Sequence, residues 1–144
     1  MSTRKLTCIL AFLFVFAAIA GAQETQKTIN PVPMKPTSAA SGQEMYATYC
    51  AACHGKDGKG NGPAAEALKV PPTDLTILSK NNGGKFPAMK VSSTIRGEAN
   101  LPAHGSKEMP VWGKLFMSIS HGHASEVQQR VANLTSYIES LQAK

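Results

Sequence analysis

The chain has 144 residues, 15 of them basic and 9 acidic, for a net charge of +6. Only 6% are aromatic. No basic stripe with interleaved aromatics occurs, which excludes a nucleic-acid-binding surface built on that pattern. Of the three cysteines, Cys50 and Cys53 form a pair, but the second pair of ligands that a zinc finger needs is missing.

The first 22 residues read as an export signal. Arg4 and Lys5 give a short basic start, an apolar run from Leu6 to Ala20 follows, and Ala20-Gly21-Ala22 closes it with small residues. This pattern predicts cleavage after Ala22, with Gln23 as the mature N-terminus, and a periplasmic or otherwise exported protein. The run is slightly short of the roughly 20 residues that span a bilayer, so membrane contact is expected only if it stays uncleaved. Cys8 stands at the start of the run, not after it, which argues against a lipid-modified cysteine. Losing Arg4 and Lys5 lowers the net charge from +6 to +4. Residues 23–40 carry Pro31, Pro33 and Pro36 with almost no apolar periodicity, and read as a flexible linker. One domain is expected over 41–144. At this size apolar burial is marginal, and the side chains alone are expected to fold poorly.

Ser41-Gly42-Gln43-Glu44 has the S-x-x-E form of a capping box and predicts a helix start. That helix runs through Met45, Tyr46 and Tyr49 into Cys50-Ala51-Ala52-Cys53-His54. Two thiols one helical turn apart can each add to a vinyl group of haem, and the adjacent histidine then lies under the iron. Cys-x-x-Cys-His is the attachment signature of c-type haem. A thioredoxin-like pair would need alternating strands and helices around it, and no such pattern is present.

Gly55, Gly58, Gly60 and Gly62 end the helix and open a loop over residues 55–72. It lacks the Gly-Lys-Ser/Thr ending of a phosphate-binding loop, and its glycines suit close wrapping around a flat cofactor. Asp74 to Ser79 is expected to form a short helix, Asn81 to Gly84 a turn, and Pro87 to Arg96 a helix with Met89 and Ser93 on one face. Leu101 to Gly113 reads as loop and Lys114 to Ser120 as one or two helical turns. In the last helix a second capping box, Ser125 to Gln128, precedes Val127, Val131, Leu134, Ile138 and Leu141 at steps of four, three, four and three. Gln128, Gln129 and Arg130 are expected to point away from that stripe. No strand alternation is found, so the class is all-α.

His54 is the proximal ligand candidate, and its second ring nitrogen needs an acceptor. For the sixth position Met109 stands out, because Pro110 stiffens the loop that would hold its thioether over iron. Met89 and Met117 fall at helical spacing, and His104, His121 and His123 are nitrogen alternatives. A His/Met pair fills both axial positions, which favours a carrier of electrons over an enzyme. An open sixth position would instead suit a haem enzyme or gas sensor.

The Cys50–His54 motif, the loop with Gly62-Pro63, the Met109-Pro110 loop and the terminal helix together resemble class I cytochrome c over roughly residues 41–144. They are similar to bacterial monohaem domains, including those appended to terminal oxidases and dehydrogenases. The resemblance implies that the N- and C-terminal helices cross and that loops wrap one covalently attached haem c. It places Gly42 and Tyr46 against Leu134 and Tyr137 at that crossing. It implies that the Pro63 carbonyl accepts from His54 and that Trp112 packs beside the haem. The segment around Pro71-Pro72 and the Asn81–Lys85 turn depart from the shortest members, which leaves the propionate partners open. Redox proteins are the expected partners, with Lys56, Lys59, Lys107 and Lys114 as a candidate ring around the exposed haem edge.

Overall fold

The computed structural model describes residues 34–98 and 109–143. The export signal, the linker up to Pro33, His104 and Lys107 lie outside the described residues. Among those described there are helices and no strands, in accord with the all-α expectation.

The first helix, α1, is built of three continuous pieces: Gly42–Met45, a π-helical turn over Tyr46–Cys50, and Ala51–His54. Ser41 caps it, its hydroxyl accepting from Glu44 N–H at 3.1 Å. The reciprocal half of the capping box goes elsewhere: the Glu44 carboxylate accepts from Ser38 N–H, while Ser41 N–H donates to the Ser38 carbonyl. The π turn is closed by the Ala51 N–H donating to the Tyr46 carbonyl. It adds one residue to the turn that ends in Cys50.

A 3₁₀ turn, Leu75–Ile77, is capped by Asp74 and leads directly into α2, Leu78–Asn81. Helix α3, Ala88–Arg96, stops at Gly97, whose left-handed backbone (φ 76°) makes the C-terminal cap. Helix α4 is Trp112–Ile119. It starts two residues earlier than the expected Lys114, taking Trp112 and Gly113 out of the loop, because Trp112 is buried and anchors the first turn. Helix α5, Ala124–Ser140, starts ahead of the expected Ser125 cap. The N-cap residue is His123, in a turn tied down by its ring nitrogen at 2.8 Å from the Ser120 carbonyl.

Helices α1, α3 and α4 all pack on α5. Val127, Val131, Leu134 and Ile138 of α5 are buried against Met45, Tyr46, Ile95 and Phe116. Burial of a side chain such as Phe116 or Leu134 contributes about 1.5–3 kcal/mol each. The crossing of α1 and α5 is where the resemblance placed it. A Cβ on Gly42 would run into the Asn133 carbonyl and the Tyr137 side chain, and the rings of Tyr46 and Tyr137 lie 5.2 Å apart.

Two expectations fail here. Arg130 does not point outward: it is 5% exposed. Its guanidinium donates to the Thr37 carbonyl at 2.9 Å, to Ser120 Oγ at 3.1 Å and to Glu126 at 2.7 Å. Nor does the packed unit begin at Ser41. It extends from Met34, because Arg130 holds Thr37, Asn133 donates to the Ala39 carbonyl, and the Tyr49 hydroxyl donates to the Lys35 carbonyl. Residues 34–40 are thus part of the domain. No described helix is long and apolar enough to cross a membrane.

Candidate haem site

The C-terminal end of α1 carries Cys50, Cys53 and His54. Both cysteines are unbridged and half-buried. Burial, and then the neighbouring Cys53, pushes the Cys50 thiol up to about 12. The thiolate is the reactive form of a cysteine, so this burial keeps Cys50 a weak nucleophile.

The loop after His54 folds back over the end of α1. Gly60 N–H donates to the His54 carbonyl, Gly62 N–H to that of Cys53, and Ala64 N–H to that of Ala52. Three carbonyls that a helix end leaves without partners are satisfied this way, which fixes the residues carrying the thiols. Gly62 is required by the close approach, since a Cβ there would strike the Ala51 and Ala52 carbonyls. The Tyr46 hydroxyl adds a buried bond to the Gly55 carbonyl at 2.8 Å.

His54 Nδ1 lies 3.0 Å from the carbonyl oxygen of Thr73. This corrects the Pro63 assignment: Pro63 is exposed and makes no bond to His54. Residues 60–64 are engaged in capping α1, so the acceptor comes from the next pass of the loop, at Thr73. With Nδ1 as the donor, the free nitrogen is Nε2, the one a metal would take. Burial lowers the His54 pKa, opposed by the bond to Thr73, and so favours the neutral ring that coordinates iron. Two thiols one turn apart and a neutral imidazole with its tautomer fixed are a donor set that fits haem c.

The remaining site residues are placed as follows. Trp112 is buried, its ring 5.3 Å from Tyr49 and 5.9 Å from Phe116. Tyr49 directly precedes Cys50, so Trp112 ties the start of α4 to the thiol-bearing helix. Met109, three residues ahead of Trp112, is 38% exposed. Among the alternatives, Met89 is 83% exposed and so is not core, Met117 is also exposed, and His121 and His123 lie exposed in the α4–α5 turn.

Thr73 and Tyr49 were not singled out from sequence as parts of the site. A backbone acceptor leaves no residue-type signal. Tyr49 left one, an aromatic three positions after Tyr46 and next to a thiol.

No curated protein and no solved structure matches the chain. A family model described as cytochrome C oxidase, cbb3-type, subunit III matches residues 37–121. That span covers more than half of the chain, begins at the buried Thr37 and contains both thiols, His54 and Met109. The chain therefore belongs to this family of class I c-type cytochrome domains.

Proposed function

We propose that this protein is an exported monohaem electron carrier, or the haem c subunit of a larger redox complex such as a terminal oxidase, with His54 and Met109 as axial ligands. The family carries haem-based electron transfer. The observation that supports the reading best is His54 itself, half-buried with Nδ1 turned to the Thr73 carbonyl. When bound, haem c supplies a one-electron iron couple. Cys50 and Cys53 would hold the ring covalently, and His54 would offer Nε2. Met109 would close the other face with a weakly donating thioether, which favours the ferrous state and raises the potential. With His54 and Met109 both bound, the iron would have no vacancy for a substrate, which favours a carrier of electrons over an enzyme. The sequence of the first 22 residues supports export.

A haem stain on a denaturing gel tests attachment. It is expected to be positive, weaker for Cys50→Ser or Cys53→Ser, and lost when both are replaced. The optical spectrum then tests the ligands. Wild type is expected to be six-coordinate and low-spin, and Met109→Ala to have a lower potential and to bind carbon monoxide. High-spin haem in the wild type would sink the carrier reading in favour of an open-site protein. An unchanged spectrum in Met109→Ala would move the sixth ligand to another residue.

A further inference from the structure

Gln142 lies just past α5, far along the chain from the haem motif, yet its side-chain amide is fully used. Its Oε1 accepts from Ser79 N–H at 2.8 Å, and its Nε2 donates to the carbonyls of Leu75 at 2.6 Å and Ile138 at 3.0 Å. The next residue, Ala143, donates its N–H to the Thr76 carbonyl at 2.8 Å. The C-terminal end of α5 thus grips residues 75–79 through both a donor and an acceptor.

Leu75 is held from its other side as well. Its N–H donates to the Gly58 carbonyl at 2.7 Å, within the loop that caps α1. Asp74, between Leu75 and Thr73, is fixed by accepting from Thr76 N–H at 2.8 Å and from the Thr76 hydroxyl at 2.6 Å. Thr73 therefore leaves a segment pinned to the capping loop at Leu75 N–H and to α5 at Leu75 C=O. Its carbonyl is the partner of His54 Nδ1.

We infer that Gln142 is a positioning residue for the proximal ligand: it holds the 73–79 segment so that the Thr73 carbonyl stays on His54 Nδ1. This rests on the reading of His54 as the haem ligand. A firm Nδ1–H···O=C bond makes the imidazole a stronger donor, and such outer bonds are one lever on haem potential. A stronger donor stabilises ferric iron. Loosening the Thr73 carbonyl therefore raises the potential.

The test uses the holo-protein, with two readouts: the midpoint potential, and the solvent exchange of the His54 Nδ1 proton followed by NMR. Gln142→Ala is expected to raise the potential and to speed exchange by about five-fold, the ratio that a net hydrogen bond of about 1 kcal/mol represents. Gln142→Glu keeps the acceptor for Ser79 but has no donor for Leu75 when ionised. Its His54 Nδ1 proton is expected to exchange faster than in wild type at neutral pH, with the difference shrinking as the new carboxyl is protonated and regains a donor for Leu75. Asn133→Ala, which cuts the bond to Ala39 on another part of the domain, is expected to leave both readouts at wild-type values. The inference is overturned if Gln142→Ala lowers the potential or leaves both readouts unmoved, or if Asn133→Ala moves them equally. A wild-type protein without histidine-ligated haem would instead sink the functional reading itself.

Discussion

The guanidinium of Arg130 and the backbone carbonyl of Thr37 meet at 2.9 Å across 93 positions of sequence, and both residues are buried. The same guanidinium reaches Thr37 Oγ1 at 3.2 Å and Ser120 Oγ at 3.1 Å. Arg130 therefore joins the segment ahead of α1 to the α4–α5 turn. Arg130→Ala leaves these acceptors without a donor, and hydrogen bonds to charged groups contribute about 1.5–3 kcal/mol each. A loss of about 2–3 kcal/mol is expected in urea unfolding of the holo-protein. Arg130→Lys is expected to recover little, because an ammonium cannot serve several acceptors through a planar fork. A lysine variant as stable as wild type would show that charge alone is needed.

Glu126 gives the same cluster a pH dependence. Hydrogen bonds from Arg130, then from Ser120, hold its carboxyl below the usual carboxylate range, with His123 adding attraction. The unfolded chain has the ordinary value of about 4.3 and takes up the proton first. Stability from this group is therefore complete above that value and falls as pH drops through the lowered folded one. Acid titration of unfolding is expected to show a shallower decline below pH ~4.3 for Glu126→Gln than for wild type. Parallel curves would mean that Glu126 titrates alike in both states.

At the helix crossing, Gly42 has no room for a methyl group, because the Asn133 carbonyl occupies the place a Cβ would take. Gly42→Ala must push α1 off α5, and overpacking of this kind costs about 1–3 kcal/mol. The displaced helix carries Cys50 and Cys53 at its other end. Holo-protein yield in a haem stain is expected to fall together with the thermal midpoint. An alanine variant with wild-type stability would place the real contact elsewhere.

Local chemistry was legible in the sequence, and tertiary partners were not. Cys50, Cys53 and His54 stood out because the c-type attachment signature lies within five residues, and the structure keeps them together at one end of α1. Val127, Val131, Leu134 and Ile138 could be read because burial of one helix face imposes its period. Thr73 could not, since any residue supplies a carbonyl and only the path of the loop selects which one faces His54. Arg130 was expected to face outward with Gln128 and Gln129, although its position three after Val127 and four before Leu134 lies beside the buried face. Ser125 was misread as a cap because Ser-x-x-Gln is a local signal, whereas the start of α5 is set by the Ser120–His123 turn that Arg130 grips.

Surface charge offers a last test, of how electrons enter. Lys56 and Lys59 are exposed on the loop after His54, and Lys114 is exposed in the first turn of α4, next to the buried Trp112. Positive charge on these elements attracts anionic redox partners over a range set by salt, about 30 Å at 0.01 M and about 8 Å at 0.15 M ionic strength. Oxidation of the reduced holo-protein by hexacyanoferrate(III) is expected to slow by about ten-fold between those conditions. A cationic oxidant is expected to show the opposite trend. Replacing Lys56, Lys59 and Lys114 together with Glu should reverse both slopes while leaving the spectrum unchanged, since none of the three is a ligand. If the slopes stay as in wild type, electrons enter at a different face, and the excess charge of the chain serves solubility.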